Sequence, residues 1–421
     1  MKKLLAPLCC LAAGLALAAC QPATQTNTAV NNTNAAPTAT AAAPAESTAK
    51  KAPTDLEQLA QRLVTQSAGV KEGEVVLISG RSHDAELIEN IAVNVRKLGA
   101  FPMVEYSSDR LSKRMFNDVP DKYDSQTSAL GLKLAETVNV TISVTNGLTE
   151  DLFAGADPKR MAARGKAGEP VADAFLKNNV RSVEVGNGMY PTGWLAKRYG
   201  MSEDELSKTF WGGVNVDYTE LQTRGEQVKS ALSSGDEVHI KDANGTDFKV
   251  RVKGRPFGVS DGIISADDVK QGGSAVNIYL PAGEVYVTPV AGTAEGKIVR
   301  PKEYFEGKEI QNLTLTFAGG KLTSITGTGP GFEPMKAQYD AAGEGKDLFA
   351  VVDFGINQNV KLPATSSVGT WVPAGTVTVG MGNNVWAGGD NKTSYGYFVS
   401  LPGTTVTLDG KPVVENGQLK L

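Results

Sequence analysis

The chain has 421 residues, with 42 Lys plus Arg against 46 Asp plus Glu, two His and three Cys, and it is 41% hydrophobic and 21% charged. At about 100–200 residues per domain, that length holds two globular domains with real cores, which excludes a wholly disordered chain and a disulfide-built miniprotein. Two histidines exclude any site built on several imidazoles, the side chain that supplies most metal ligands and most general bases working near neutral pH.

Met1-Lys2-Lys3 makes a basic start, Leu4 to Leu17 is a short apolar run rich in Ala and Leu, and Leu17-Ala18-Ala19-Cys20 ends it with small residues before a cysteine. Residues 1–19 therefore read as a secretory signal, since the run is shorter than the roughly 20 residues of a membrane span. Its end resembles a bacterial lipobox, which implies lipid on Cys20. Gln21 stands where Asp would favour retention at the inner membrane, so the resemblance implies the outer membrane, facing the periplasm. Cys9 and Cys10 leave with the signal, so no thiol remains for a disulfide, for catalysis or for zinc. Loss of Lys2 and Lys3 makes the body two charges more acidic, which argues against a nucleic-acid partner.

Residues 20–53 are nearly all Ala, Thr, Asn, Pro, Gln and Ser. Such a stretch buries too little apolar surface to offset the entropy of ordering, and is expected to be a tether reaching roughly 30 Å.

From residue 54 the grammar is that of a folded domain. Thr54-Asp55-Leu56-Glu57 reads as a capping box that starts a helix near Asp55. The run Glu74–Ser79 predicts a buried strand, Asp84–Leu98 an amphipathic helix ending at Gly99, and Phe101–Tyr106 a strand. Val138–Val144 and Arg181–Val185 are further strands, with helices over Pro158–Lys177 and Leu195–Phe210. This alternation predicts an α/β fold, a layered and mostly parallel N-terminal α/β domain over 54–215. A helix over Tyr218–Ser234 then leads to a hairpin, Glu237–Lys241 and Phe248–Val252 around Asn244-Gly245. Short strands follow at Asn277–Leu280, Val285–Val290, Leu313–Phe317, Leu348–Phe354, Gly375–Met381, Tyr397–Leu401 and Thr405–Leu408. Residues 216–421 are thus expected to be a β-rich α+β C-terminal domain.

A family pattern runs through these elements. Val70–Ile78, Leu98-Gly-Ala-Phe-Pro102, Tyr190-Pro-Thr192, Ala196–Met201, Gly245-Thr-Asp247, Leu280-Pro-Ala-Gly-Glu-Val-Tyr286 and Leu408-Asp-Gly410 together resemble the thermophilic aminopeptidases, metallopeptidase family twenty-nine, in order and from about residue 54 to 421. The resemblance implies an α/β N-terminal domain, a C-terminal domain that carries the active site, and a homodimer. It also implies two metal ions, usually zinc or cobalt, that activate a bridging water and polarise the scissile carbonyl of an N-terminal residue.

The ligand positions that the resemblance implies are mostly changed. The family's two glutamate ligands fall on Glu284 and on Asp353, one methylene shorter; its first histidine falls on Thr378, its tyrosine on Val385, and its closing His and Asp on Gly396 and Phe398. Four of those six positions cannot bind zinc as the family does. The two histidines lie elsewhere. His83 opens a helix, where a surface or capping role suffices, and His239 shares a strand face with Glu237 and Lys241, as a solvent-facing cross-strand residue would.

Weaker constellations leave alternatives open. Glu284 and Asp353, with Asp390 or Glu344, form either a hard-oxygen site for one Ca²⁺ or Mg²⁺ or inherited residues in a polar pocket. Gly388-Gly-Asp-Asn391 with Trp386, Tyr395 and Tyr397 is either a ligand-facing rim or a strand-linking turn. Gly327–Gly331 is too lax for a phosphate loop, and no strand-to-helix Gly-x-Gly-x-x-Gly occurs. The expectation is a lipid-anchored envelope protein on an aminopeptidase-like scaffold, without catalytic residues or cofactor, that binds a peptide or small ligand in the old cleft. The alternative is a working hydrolase with a rebuilt or mononuclear site at Glu284 and Asp353.

Overall fold

A computed structural model describes residues 53–421 apart from 151, 306–307, 364–365, 367–369 and 394. The signal, Cys20 and nearly all of the tether lie outside the described residues.

Helix α1 (Leu56–Arg62) is capped by Asp55, which accepts from the Gln58 amide at 2.9 Å. Thr54, expected as the cap, accepts from Asn215 Nδ2 instead, pinning the start of the domain to the residue that follows the helix over Glu203–Val214. Strand β1 (Val75–Arg81), α2 (Ala85–Lys97), β2 (Phe101–Ser107), α3 (Asp109–Asn117), α4 (Ala129–Thr137), β3 (Val140–Val144), α5 (Pro158–Lys177) and β4 (Arg181–Val185) follow. The four strands run parallel in the order β2-β1-β3-β4. Val76 and Ile78 have no exposed surface and Leu77 little. Such an apolar run fits a central strand covered by helices on both faces. Leu87, Ile88, Ile91 and Val95, at helical spacing, bury one side of α2.

The segment read as one helix over Leu195–Phe210 is two, α6 (Gly193–Tyr199) and α7 (Glu203–Val214). Gly200 ends α6 in the left-handed region at φ 69°, and a capping box of Ser202 and Glu205 starts α7. Helix α8 (Tyr218–Ser233) closes this half.

Strands β5 (Glu237–Lys241), β6 (Asp247–Arg251), β7 (Phe257–Ser260), helix α9 (Ala266–Gln271) and β8 (Asn277–Leu280) come next. Strand β8, expected in the β-rich half, pairs parallel with β4 and completes the N-terminal sheet as its fifth strand. The chain then crosses directly into β9 (Glu284–Val287). Gly283 makes that crossing possible: at φ 130° a Cβ there would stand 2.7 Å from Cβ of Asn357. Asn357 is buried and donates from Nδ2 to the carbonyls of Gly213 and Ala282, tying α7 to the crossing.

The remaining elements are β10 (Glu295–Phe305), β11 (Lys308–Ala318), β12 (Lys321–Thr328), α10 (Phe332–Ala341), β13 (Phe349–Gly355), β14 (Val377–Gly382), β15 (Gly396–Leu401), β16 (Thr405–Leu408), β17 (Lys411–Glu415) and β18 (Gln418–Leu419). They build two antiparallel sheets, β12-β11-β10-β6-β5-β16-β17-β18 and β15-β14-β13-β9-β7. Phe248, Phe317 and Phe349 meet between them with ring centroids 4.8–5.5 Å apart. One continuous apolar core runs from α1 to β17, so the two halves are packed as one body. Among the described residues, no helix is long and apolar enough to cross a membrane.

A candidate ligand site on the third sheet

Strand pairing decides which side chains meet on the sheet β15-β14-β13-β9-β7. Its register aligns Gly258, Tyr286, Asp353, Thr378 and Ser400 in one row across the five strands. Side chains alternate along a strand, so residues two apart share a face. Glu284 therefore lies beside Tyr286 on that face, diagonal to Asp353 at about 7 Å between strand positions. Phe398 lies on the other side of the row, opposite Gly380. A register shift near Ala350 restores the phase: Phe349 points into the core between the sheets, while Val351, Asp353 and Gly355 point outward.

Aromatic rings border the acidic pair. Tyr286 and Trp386 are 5.3 Å apart, Trp386 and Phe398 6.2 Å, and Phe398 and Trp371 4.7 Å, an arc of four rings. Two glycines make room for the two strand-borne rings, Tyr286 and Phe398. A Cβ on Gly258 would stand 2.2 Å from Tyr286, and one on Gly380 2.4 Å from Phe398.

The electrostatics are those of carboxylates short of partners. Asp353 has no exposed surface, and neither of its oxygens has a hydrogen-bond partner among the described residues. Burial, then repulsion from Glu284, holds its carboxyl well above the usual range. Burial pushes Glu284, which is partly exposed, up to about 7. The Tyr286 hydroxyl is raised to about 12, by burial first and then by the charges of Asp353 and Glu284. Thr378 Oγ1 and Ser400 Oγ are 3.0 Å apart and satisfy each other.

The structure thus brings Glu284, Asp353 and Thr378 onto one face, with Phe398 in the next row. Gly396 pairs with Gly382 at the far end of β14, and Val385, 48% exposed, lies in the short turn beyond it. Asp390 and Glu344 are exposed. Among the described residues, no three His, Cys, Asp or Glu side chains form a metal-holding group, so neither completes an oxygen site with Glu284 and Asp353. Of the aromatic residues singled out beside Gly388–Asn391, Trp386 joins the arc. Tyr395 and Tyr397 alternate to the opposite face, Tyr395 against Tyr339. Gly388–Asn391 itself is a turn held by Asn384, whose Oδ1 accepts from the Asn391 amide at 2.9 Å. His83 is exposed, with Nε2 3.8 Å from Asp84, and His239 pairs with Asp247 at 2.6 Å on a different sheet. Sequence reasoning missed the parts played by Tyr286 and Trp371. The two-residue step from Glu284 could have found Tyr286; Trp371 arrives from a long connection and carries no such signal.

The family model for thermophilic metalloprotease (M29) matches residues 52–338, and the chain belongs to that family. The match includes Glu284 and ends before Asp353. Aminopeptidase PepS of Streptococcus thermophilus is 24% identical over 303 residues, 65% of this chain and 70% of that protein. The structure of AmpT from Thermus thermophilus aligns over 87% of this chain and 99% of its own, with TM-score 0.64 and 15% identity. A 2,5-dihydroxypyridine dioxygenase from Pseudomonas putida aligns over 88% and 98%, with TM-score 0.55 and 14% identity. These two share the fold.

Do the residues present fit the paired metals that the family implies? Two metals need several carboxylate and imidazole donors converging from neighbouring strands. Among the described residues, Glu284 and Asp353 stand without a third such donor, and Thr378 is engaged with Ser400. The donor set does not fit a dinuclear centre.

Proposed function

We propose that this protein is a lipid-anchored envelope lipoprotein that uses the M29 aminopeptidase scaffold to bind a peptide or small ligand rather than to cleave it. One observation carries the reading: the sheet face on which the family's ligand positions fall by resemblance holds two carboxylates, a threonine paired with a serine, and aromatic rings. Binding needs a shaped face and a few directed polar groups, whereas metal-assisted hydrolysis needs a complete ligand set. Anchoring rests on Lys2, Lys3, the apolar run and Cys20, and the tether would hold the folded body clear of the bilayer.

The test is turnover. Peptide libraries are offered to the full chain with Zn²⁺, Co²⁺ or Mn²⁺, and the expected result is no N-terminal cleavage above background. Metal-dependent cleavage that vanishes in Glu284→Ala would instead establish the second reading, a hydrolase with a rebuilt site, which the unpartnered oxygens of Asp353 favour.

A further inference from the structure

The ligand chemistry of this site rests on the binding-module reading and can be named more closely. Asp353 is an ionisable group with no exposed surface and two oxygens without partners, and it belongs to the same sheet face as the aromatic arc. A buried acceptor left unpaired is costly, more so when charged, so the site lacks hydrogen-bond donors. Among the described residues, no basic side chain offsets either carboxylate.

The surroundings select the kind of donor. A metal ion wants further oxygen or nitrogen ligands, whereas this face offers Thr378 and Ser400, which are engaged with each other, and aromatic rings. Ring faces attract organic cations that lie within roughly 6 Å of them. Trp386 is 41% exposed, so the arc meets solvent there, while Asp353 has no exposed surface and Glu284 is partly exposed. A quaternary ammonium would satisfy the rings and leave Asp353 unpaired. We infer that the site binds a primary alkylammonium group, its N–H donors on Asp353 and Glu284 and its apolar stem along Tyr286, Trp386, Phe398 and Trp371.

Calorimetric titration of the full chain tests this with n-butylammonium chloride, and with tetramethylammonium chloride as the cation that has no N–H. The first should bind at least tenfold more tightly. Asp353→Asn and Trp386→Ala should each weaken it tenfold or more; Trp386 is at the rim, so that variant keeps the test open if the buried one does not fold. Trialanine against N-acetyl-trialanine then identifies the bearer. Stronger binding of free trialanine than of butylammonium assigns a peptide amino terminus; equal or weaker binding assigns a small free amine. The inference is overturned if butylammonium does not bind, if tetramethylammonium binds as well, or if both variants bind like the parent. A metal-free, inactive chain that binds no amine overturns this inference alone. Uptake of two zinc equivalents with cleavage of trialanine overturns the binding-module reading on which it rests.

Discussion

Glu284 has a measurable consequence for stability. Burial raises its carboxyl to about 7 in the folded chain, against an ordinary value of 4.5. A raised carboxyl means that the folded state keeps a proton the unfolded state has already released, so its contribution falls as pH rises from about 4.5 to about 7. Urea midpoints measured between pH 4 and 8 should decline over that window in the parent and decline less in Glu284→Gln; parallel curves would contradict the assignment. Gly380 gives a second prediction. A Cβ there meets the Phe398 ring at 2.4 Å and Val351 at 3.0 Å, so Gly380→Ala should cost about 1–3 kcal/mol in denaturant unfolding. An unchanged midpoint would mean that the ring moves aside freely. At this scale the sequence was partly legible. Glu284, Asp353 and Phe398 are named by their place in a family pattern, and Tyr286 follows once strand alternation is applied. Trp371 does not, because no periodicity links a loop residue to the strands it covers.

Elements with a strong local signal were read almost residue by residue. Pro158–Lys177 and Arg181–Val185 coincide with α5 and β4, since a helical or β-branched pattern bounded by clear stops needs no tertiary information. Helix α3 is short and mostly polar, with Leu111, Met115 and Phe116 its large apolar residues and Phe116 its buried one, which leaves a weak signal in the sequence. The division at Gly200 was missed because the apolar spacing continues across it while the backbone does not. Strand β8 was foreseen as a strand but given to the wrong sheet. Its pattern says that it is extended, whereas its partner is set by the Gly283 crossing into β9. The capping box of α7 offers a check: its serine accepts from the Glu205 amide while the glutamate accepts from the Ser202 amide. Ser202→Ala should lower unfolding free energy by about 1 kcal/mol, and no loss would show that tertiary packing alone holds the helix start.

At the scale of the whole molecule, a parallel α/β sheet and two antiparallel sheets share one core, and the crossing from β8 to β9 delivers Glu284 to the third sheet. The composition of the chain already bore on this. Two histidines in 421 residues leave none for the sheet that bears the acidic pair, and both lie elsewhere in the fold. The proposed lipid anchoring is tested at Cys20: Cys20→Ser should release the protein from membranes in cell fractionation, and continued membrane association would refute lipid attachment at that residue. The central claim concerns metal. Elemental analysis of the full chain, after incubation with excess Zn²⁺ or Co²⁺ and exhaustive buffer exchange, tests it most directly. An aminopeptidase scaffold without its ligand set predicts well under one equivalent of bound metal. Two equivalents, lost in Glu284→Ala, would contradict it.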